Sequence, residues 1–479
     1  MGLKVIRRLP ELLREANWKV TASTAYRGAL TEITDVTAGN TARKNLAIAV
    51  DLGTTTVVAH LVDLATGRTL AGAAKYNSQI EFGADVISRI NRARMSGGRE
   101  ALHAAIASDV DVLIEDITRR ANADRADVGC IVAAGNTTML HLLLGLESDL
   151  LRLSPFVPVA TSPAPARAAD AGIRIHPRGL VYTMPMVGSY VGGDITAGLI
   201  VSGMHEKDEL ALFLDIGTNG EVVLGNKEFL VACSASAGPA FEGGSMKCGM
   251  RAAAGAVDSV RISPDDLAVD ATTIGDAAAA GICGTGFIDA LAQMFLAGLV
   301  DRGGALHVER SPERFTDSDE DGRAEFVLVS AKESGGERDV AIDQSDVENL
   351  IRTKGAIYAA ADSLVESVGL SFADVKRVYI AGGFGNKLGV ASCITIGLLP
   401  DVPPEQVEFI GNGSVRGSKR ALLSRAAYDE VQALRDRITY QELMVDSSYM
   451  ERFTSACFLP HTDTSRFKSV EARLQKGNG

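Results

Sequence analysis

The residues best suited to chemistry lie in two short segments of the same type. In each segment an aspartate is followed by a glycine and then by hydroxyl or amide side chains. Backbone N–H groups and hydroxyls of such turns bind phosphate oxygens, and a glycine permits their close approach. We predict that nucleotide phosphates contact Gly53, Thr54, Thr55, Thr56, Gly217, Thr218 and Asn219. The preceding aspartates, Asp51 and Asp215, are predicted to hold a hydrated Mg²⁺ and to orient the attacking water.

Apolar runs place both segments at the ends of β-strands. The runs Leu46–Val50 and Leu210–Leu214 each lead into an aspartate, and a second β run follows each turn, as in a β-hairpin. This recurrence predicts two similar α/β lobes, each presenting one hairpin to a common nucleotide cleft. No Walker-type P-loop motif occurs, and no GxGxxG motif follows the first strand, which argues against those two modes of nucleotide binding.

Two further glycine-containing turns adjoin apolar elements. The first opens an apolar helix, whose N-terminus can face a phosphate or a ribose. The second follows the strand 377–381, and its bare glycines let an adenine or a ribose lie against the backbone. The alternative for either turn is a simple junction between a strand and a helix. We predict cofactor contacts in these turns at Gly284, Thr285, Gly382, Gly383, Phe384 and Gly385.

Several polar residues near these motifs have a structural alternative. Asp194 is a second candidate for activating water, and a helix N-cap or hinge hydrogen bond is its alternative. Asn136 and Thr137 are predicted to cap a helix, with phosphate contact as their alternative. Lys354 is predicted to be a solvated residue on a helix face, with nucleotide contact as its alternative.

Two other groups of residues suggest chemistry without establishing it. His461 and Asp463 could be catalytic, but the neighbouring Pro460 favours a structural turn. A Gly-rich loop that could face a partner or the cleft contains Glu242, Cys248 and Arg251. All six cysteines are scattered without a CxxC pair, so buried, reduced thiols are predicted and a redox role for Cys248 is the alternative.

Composition limits the partners. The chain has 479 residues, which suggests two or three domains or lobes, and a net charge of −12. An acidic chain is poorly suited to nucleic acid, because nucleic-acid binding depends on Lys and Arg at phosphates. No stretch of 18 uncharged apolar residues occurs and the first 20 residues do not resemble a signal peptide, so we expect a cytoplasmic protein without a membrane partner.

The order of the motifs resembles a known superfamily. The Asp51 hairpin, the Asp215 hairpin and the Gly382 turn are similar to the phosphate-1, phosphate-2 and adenosine motifs of the actin/sugar-kinase/heat-shock (ASKHA) proteins. This resemblance implies an α/β fold of two ribonuclease-H-like lobes around a nucleotide cleft. The segments Val191–Gly198 and Ala391–Leu399 resemble the two helices that connect and cross between such lobes.

A closer resemblance is to the ATPase part of the reductive activators of corrinoid proteins. It is carried by the strings Ala49–Val57, Gly135–Met139, Ser236–Gly244, Lys247–Arg251 and Phe458–Asp463. It implies that the protein uses ATP and Mg²⁺ to support reduction of cob(II)alamin to cob(I)alamin on a corrinoid protein or a corrinoid-dependent methyltransferase. It also implies a homodimer, and an iron–sulfur cluster in a ferredoxin-like domain. Because the cysteines are not clustered, we expect no iron–sulfur cluster in this chain. We expect the electrons to come either from an external, ferredoxin-type donor or from an iron–sulfur domain that this sequence does not include.

The expected organisation follows from the same motifs. Residues 1–45 are predicted to be the end of a small middle domain, 46–205 the first ASKHA lobe, and 206–479 the second lobe with the adenosine motif and a return to the first lobe. Two other functions remain open. One is a small-molecule kinase of the same superfamily, and the other is an ATP-gated protein-binding module without a redox role.

Overall fold

The computed structural model describes residues 1–28, 30–317, 324–336, 338–383 and 388–477. They form two compact units: unit 1 comprises Met1–Gly203 and Asn412–Ile438, and unit 2 comprises Met204–Gly411 and Thr439–Gly479. Within these described ranges, no helix has the length and apolar character required to cross a membrane. The domain boundaries expected from the sequence remain predictions.

The strands are numbered in chain order. They are β1 (Val20–Arg27), β2 (Leu30–Ala38), β3 (Leu46–Leu52), β4 (Thr56–Asp63), β5 (Thr69–Tyr76), β6 (Val128–Gly135), β7 (Ala166–Arg167), β8 (Leu180–Thr183), β9 (Ala211–Asp215), β10 (Glu221–Gly225), β11 (Leu230–Ser234), β12 (Ala256–Ile262), β13 (Val269–Thr273), β14 (Gly281–Ile282), β15 (Phe315–Asp317), β16 (Ala324–Val329), β17 (Val340–Asp343), β18 (Arg377–Ala381), β19 (Val407–Gly411) and β20 (Ile438–Tyr440).

The α-helices are numbered in the same way. They are α1 (Leu3–Glu15), α2 (Val86–Ala93), α3 (Gly98–Arg120), α4 (Thr137–Leu143), α5 (Gly193–Ser202), α6 (Gly284–Leu296), α7 (Ala331–Ser334), α8 (Gln344–Ser367), α9 (Val390–Ile396), α10 (Gly413–Leu423), α11 (Arg425–Arg435), α12 (Tyr449–Ala456) and α13 (Lys468–Gly477).

Unit 1 is built on a sheet of order β5-β4-β3-β6-β8-β7. β3 pairs antiparallel with β4 and parallel with β6, and β6 pairs parallel with β8. The carboxyl ends of β3, β6 and β8 therefore meet at one edge of the sheet. β3 is apolar along most of its length because it is a central strand covered by helices. Its Ile48 and Val50 join a core with Ile106 and Val110 of α3.

The leading segment packs on unit 1. Asp35 of β2 forms ion pairs with Arg8 of α1 and with Arg178. The hydroxyl of Tyr182 in β8 donates to the carbonyl of Tyr26 in β1 at 2.7 Å. These contacts join α1 and the β1–β2 hairpin to the end of the unit 1 sheet that carries β8.

Unit 2 is built on a sheet of order β19-β18-β9-β10-β11-β20. β9 and β10 form the antiparallel hairpin predicted from the sequence, and β18 pairs parallel with β9. Two three-stranded sheets, β13-β12-β14 and β15-β16-β17, complete the unit. Leu212 and Leu214 of β9 share a core with Phe287 of α6 and Ile357 of α8.

One helix assignment from the sequence requires correction. α5 begins inside the predicted segment Val191–Gly198, but the helix that packs against it is α10, not the segment Ala391–Leu399. A Cβ on Gly417 of α10 would lie 2.3 Å from the carbonyl oxygen of Ala197, so the two helix backbones approach closely. The segment Ala391–Leu399 is apolar because its residues enter the core of unit 2, where α9 packs on α6.

Candidate functional site

The first hairpin joins β3 to β4 through a tight turn at Gly53–Thr55. A Cβ on Gly53 would lie 2.5 Å from the carbonyl oxygen of Thr56, so a glycine is required there. Thr54 is 4% exposed, which leaves its backbone rather than its side chain as the group it can offer to a ligand. Asp51 lies directly before this turn, at the carboxyl end of β3.

The carbonyl groups of the first turn are bound from one side. The side-chain amide of Asn77 donates to the Gly53 carbonyl at 2.9 Å, and the backbone N–H of Asn77 donates to the Thr55 carbonyl at 2.9 Å. The Arg89 guanidinium donates to the Thr54 carbonyl between them at 2.7 Å. Because a trans peptide is planar, the N–H group of each of these peptides points away from its carbonyl and hence away from Asn77 and Arg89. Successive N–H groups on one side of a turn fit an anion such as phosphate.

Two asparagines hold the polar side chains of this hairpin. Asn412 caps α10 by accepting from the Val415 N–H at 2.8 Å, and its amide donates to a carboxylate oxygen of Asp51 at 2.7 Å. Asn136 caps α4 in the same way, and its amide donates to the Thr54 hydroxyl at 3.0 Å. The predicted capping role of Asn136 is confirmed. Asn412 fixes the orientation of the Asp51 carboxylate, whose negative charge suits a divalent cation.

Asp194 lies at the same edge of the unit 1 sheet. A Cβ on Gly192 would lie 2.5 Å from the Cα of Asn136, so the N-terminus of α5 packs directly on the residue after β6. Gly192 is the N-cap of α5, so the N-cap alternative for Asp194 is wrong, while the alternative of a hinge hydrogen bond stays a prediction. The half-buried Asp194 carboxylate accepts from the Ile195 N–H at 2.9 Å. Burial raises the pKa of Asp194 to about 6.

The second hairpin joins β9 to β10, and its turn is held by backbone groups. The carbonyls of Thr218, Asn219 and Gly220 accept from three N–H groups of the segment 235–238, at 2.8, 3.1 and 2.9 Å. The N–H groups of the same peptides therefore point away from that segment. A side-chain contact adds to this arrangement, because the Thr218 hydroxyl donates to a carboxylate oxygen of Glu242 at 2.8 Å. The Gly-rich loop that contains Glu242 thus contacts the second hairpin.

The adenosine-like turn lies beside the second hairpin. Asp215 and Ala381 are partners in the parallel pairing of β9 with β18, and the Ile216 N–H donates to the Ala381 carbonyl at 3.1 Å. Gly382 has a φ of 130°, which favours glycine. A Cβ on Gly383 would meet no atom within 4 Å. The predicted contacts Phe384 and Gly385 lie outside the described residues.

The turn that opens α6 is buried. Thr285 is 6% exposed, and its hydroxyl lies 3.2 Å from the Sγ of Cys283. The Cys283 side chain makes no capping hydrogen bond with α6. Nucleotide contacts by Gly284 and Thr285 stay predictions.

The prediction for Lys354 is wrong. Its side chain is fully buried in unit 2, and its ammonium donates to the carbonyls of Phe458 and Pro460 rather than to solvent. Burial lowers the pKa of Lys354 to about 7. Most of α8 lies inside unit 2, so a charged residue on this helix must find internal acceptors.

The C-terminal turn is structural, as the sequence favoured. The His461 ring packs against Tyr358 and Phe467, and its Nδ1 accepts from the Asp463 N–H at 3.0 Å. Burial lowers the pKa of His461 to about 4. Cys248 is buried, and burial raises the pKa of its thiol, which agrees with an inert cysteine.

Asn77, Arg89 and Asn412 were not anticipated from the sequence. Asn412 could have been found, because Gly411-Asn412-Gly413-Ser414 follows a strand and opens a helix just as Gly135-Asn136-Thr137-Thr138 does. Asn77 and Arg89 carry no such signal, since they reach the turn from separate elements. Each turn by itself, with N–H groups on one side and an aspartate beside it, fits a phosphate and a divalent cation.

Three family models match the chain in order. They are described as the RACo linker region over residues 1–43, the RACo middle region over residues 46–207, and the C-terminal domain of RACo, the ASKHA domain, over residues 209–471. The protein is therefore of the actin/sugar-kinase/heat-shock class, and the predicted fold is confirmed. More particularly, the chain belongs to the RACo family, which confirms the resemblance to reductive activators.

Individual relatives agree with this assignment. The chain is 35% identical over 415 residues to the corrinoid activation enzyme RamQ of Eubacterium limosum, and the match covers 85% of this chain and 69% of the relative. It is 26% identical over 433 residues to the [Co(II) methylated amine-specific corrinoid protein] reductase of Methanosarcina barkeri, covering 84% and 74% of the two chains. A solved structure of a reductive activator for corrinoid, iron–sulfur protein superposes with a TM-score of 0.94 at 43% identity, covering 98% of this chain and 74% of that one.

Proposed function

We propose that this protein uses ATP to support the return of a corrinoid protein, or of a corrinoid-dependent methyltransferase, from the Co(II) to the Co(I) state. The observation that carries the proposal is the match to the RACo linker, middle and ASKHA regions along the chain. The names of the two curated relatives specify corrinoid activation and Co(II) corrinoid reduction. The two turns with their N–H groups on one side supply the phosphate-binding chemistry that such a role needs.

The chain's own residues have separable roles in this proposal. Asp51 and Asp215 would each offer a carboxylate to Mg²⁺, and the Asn412 amide keeps the Asp51 carboxylate in one orientation. The peptide N–H groups of the two turns bind phosphate oxygens. Asp194 accepts a proton from the attacking water, because its raised pKa makes it a better base than an exposed aspartate. Bound Mg-ATP supplies the free energy of hydrolysis.

ATP is needed because the electron transfer is uphill. For a one-electron couple about 59 mV corresponds to tenfold, so a gap of roughly 200 mV takes about 4.6 kcal/mol. A nucleotide can supply this only if it binds one conformation of the activator–partner complex more tightly than another. We propose that nucleotide binding changes the conformation of unit 1 and of unit 2, and that this change alters the face that binds the corrinoid partner.

The electron comes from outside the segments described. The chain's cysteines, including Cys130, Cys248 and Cys283, are free and scattered along the sequence. We propose that a ferredoxin-type donor delivers one electron, which the Co(II) centre accepts to become Co(I). We further propose a cytoplasmic protein that acts as a homodimer.

The test combines the full chain with a Co(II) corrinoid protein and a ferredoxin-type reductant. Visible absorbance follows Co(I) formation with and without Mg-ATP, and phosphate release is recorded in parallel. We expect Co(I) to accumulate only with Mg-ATP, and the variants Asp51→Ala and Asp215→Ala each to abolish both signals. The matched control is Asp63→Ala, at the far end of β4, where the carboxylate caps a turn by accepting from the Ala65 N–H at 2.9 Å.

Other outcomes identify the remaining candidates. Partner-stimulated ATP turnover without Co(I) formation would contradict the reductive role and indicate a protein-binding module. Phosphate transfer to a small molecule would indicate a kinase. Unchanged nucleotide binding in both aspartate variants would overturn the assignment of the two hairpins.

A further inference from the structure

A fully buried arginine lies behind the first turn. Arg89 of α2 is 0% exposed, and its guanidinium donates to the Thr54 carbonyl at 2.7 Å, to the Gly83 carbonyl at 3.0 Å and to the Gln79 side chain at 3.3 Å. A fourth contact joins it to the sulfur of Met139 at 3.2 Å. All four partners are uncharged, so none of these hydrogen bonds neutralises the guanidinium.

The nearest carboxylates are already engaged. Asp85 caps α2 by accepting from the Ser88 N–H at 2.8 Å. Asp109 forms an ion pair with Lys75 and accepts from the Ser78 N–H at 2.7 Å. Both carboxylates affect Arg89 only at a distance, and the dominant influence is burial, which lowers the pKa of Arg89 to about 10. The guanidinium therefore stays charged at neutral pH, and no carboxylate among the described residues forms a close ion pair with it.

A buried charge without a counter-ion is costly, so its retention calls for a compensating anion. The Thr54 carbonyl that Arg89 binds belongs to the same peptide as the Thr55 N–H. Since that peptide is planar and trans, the N–H points away from the guanidinium, toward the side where the turn fits a phosphate. The Arg89 guanidinium charge and the Thr55 N–H dipole therefore both attract an anion bound there.

We propose that Arg89 supplies a buried positive charge that acts through the Thr54–Thr55 peptide on a nucleotide phosphate bound at the first turn. This inference rests on the proposed function, because it takes nucleotide phosphate as the anion. Arg89 is a positioning residue in this role, since it does not touch the nucleotide. Its guanidinium fixes the orientation of the Thr54 carbonyl, and its positive charge offsets part of the phosphate charge from the opposite side of the peptide.

The test separates charge from shape with two variants. Arg89→Gln removes the charge, and Arg89→Lys keeps the charge but loses the three-way hydrogen bonding. Calorimetric titrations with AMP, ADP and ATP in the presence of Mg²⁺ give the ratio of ATP affinity to AMP affinity. We expect Arg89→Gln to lower this ratio about tenfold, the effect of one unit charge about 12 Å away at an effective dielectric near 20. We expect Arg89→Lys to keep the ratio while all three nucleotides weaken equally.

Controls make the result decisive. Arg174→Gln is the matched control, because Arg174 is also in unit 1 but its side chain is 80% exposed and pairs with Asp111. Thermal unfolding checks that each variant folds; if Arg89→Gln does not fold, Arg89→Lys decides alone. The inference would be overturned if Arg89→Gln lowered AMP affinity and ATP affinity equally. It would also be overturned if Arg89→Lys reduced the ratio of ATP affinity to AMP affinity. Wild-type protein that binds no nucleotide would instead overturn the proposed function.

Discussion

The two hairpins have the same sequence pattern but different supports. In the first turn, the carbonyls of residues 53–55 are bound by Asn77 and by the side chain of Arg89. In the second turn, the carbonyls of residues 218–220 are bound mainly by backbone N–H groups of residues 235–238, and the Ser234 hydroxyl also donates to the Asn219 carbonyl at 3.5 Å. Both supports direct peptide N–H groups away from the bound carbonyls. The shape needed for phosphate is therefore reached mostly through side chains in the first turn and mostly through main chain in the second.

The charges beside the two turns are opposite. A guanidinium lies behind the first turn, and the Thr54 hydroxyl accepts from the neutral Asn136 amide. A carboxylate lies beside the second turn, where the Thr218 hydroxyl donates to Glu242. Residues outside the repeated motif set these charges. The comparison teaches that a motif of this kind specifies backbone shape, while its electrostatics are supplied by distant parts of the chain.

After the two aspartates of the hairpins, the largest expected effect concerns Asp194, a half-buried carboxylate that unit 1 places at the edge with Asp51. We expect Asp194→Asn to reduce ATP hydrolysis by about a hundredfold or more, the usual contribution of a general base. Since burial raises the pKa of Asp194 to about 6, the wild-type rate should rise with pH through about 6 and the variant should lack this rise. Phosphate release from pH 5 to 8 measures both curves.

Protein stability provides an independent check on Asp194. Its pKa in the folded state lies above the ordinary value of 3.8, so the folded state holds the proton more tightly. The contribution of Asp194 to stability is therefore present below pH 3.8 and is lost as the pH rises through about 6. Denaturant unfolding of wild type and Asp194→Asn should show this difference, and a pH-independent difference would contradict the raised pKa.

The second prediction compares equivalent glycines. A Cβ on Gly53 would lie 2.5 Å from a backbone oxygen, whereas a Cβ on Gly217 would meet only the Glu242 carboxylate at 3.4 Å. We expect Gly53→Ala to reduce ATP hydrolysis about a hundredfold, because small displacements of positioning groups have effects of this size. Gly217→Ala should change it by about twofold at most. Equal losses in the two variants would show that the turns do not differ in their tolerance of a side chain.

Much of this architecture could be predicted from local patterns. The apolar runs before Asp51 and Asp215 are strands, and the Gly-Thr turns after them are hairpin turns, because both features depend on neighbours in sequence. The capping role of Asn136 was predictable for the same reason. The order of the motifs was also sufficient to indicate the fold class, which the family models confirm.

The supports of the turns could not be predicted, because they depend on contacts between separate elements. Arg89 donates to a carbonyl 35 positions earlier, and Asn412 to a carboxylate 361 positions earlier. Lys354 was misjudged since its internal acceptors, the carbonyls of Phe458 and Pro460, are supplied by a distant turn. The second connecting helix could not be placed from the sequence, because α10 carries Arg416, Lys419 and Arg420 and is less apolar than the segment 391–399, and only its packing on α5 identifies it.

The third prediction tests the side-chain support of the first hairpin. Asn412→Ala should lower ATP hydrolysis about 10- to 100-fold, the usual effect of losing a group that orients a metal ligand. Asn136→Ala removes an equivalent helix cap, but the side-chain hydrogen bond that it removes goes to a hydroxyl and not to a carboxylate. We therefore expect a smaller loss of ATP hydrolysis. Asn412→Asp should keep the cap, worth about 1 kcal/mol, while placing a negative charge against Asp51. Steady-state kinetics with thermal unfolding distinguish activity from stability in all three variants.

The smallest expected effect concerns the carboxylate beside the second turn. Glu242→Gln keeps an acceptor for the Thr218 hydroxyl and removes a negative charge near the phosphate, so ATP should bind more tightly by about threefold, within the range of one modest electrostatic contact. Thr218→Val removes the donor, leaves the Glu242 charge without that hydrogen bond, and should weaken binding by about fivefold, close to the 1 kcal/mol value of one hydrogen bond. Calorimetric titration with Mg-ATP measures both variants. Changes in ATP affinity of opposite sign in these two variants would establish that the two hairpins differ in charge as well as in support. Weaker binding in Glu242→Gln would instead show that the carboxylate assists Mg²⁺, and the contrast between the two turns would then be one of support alone.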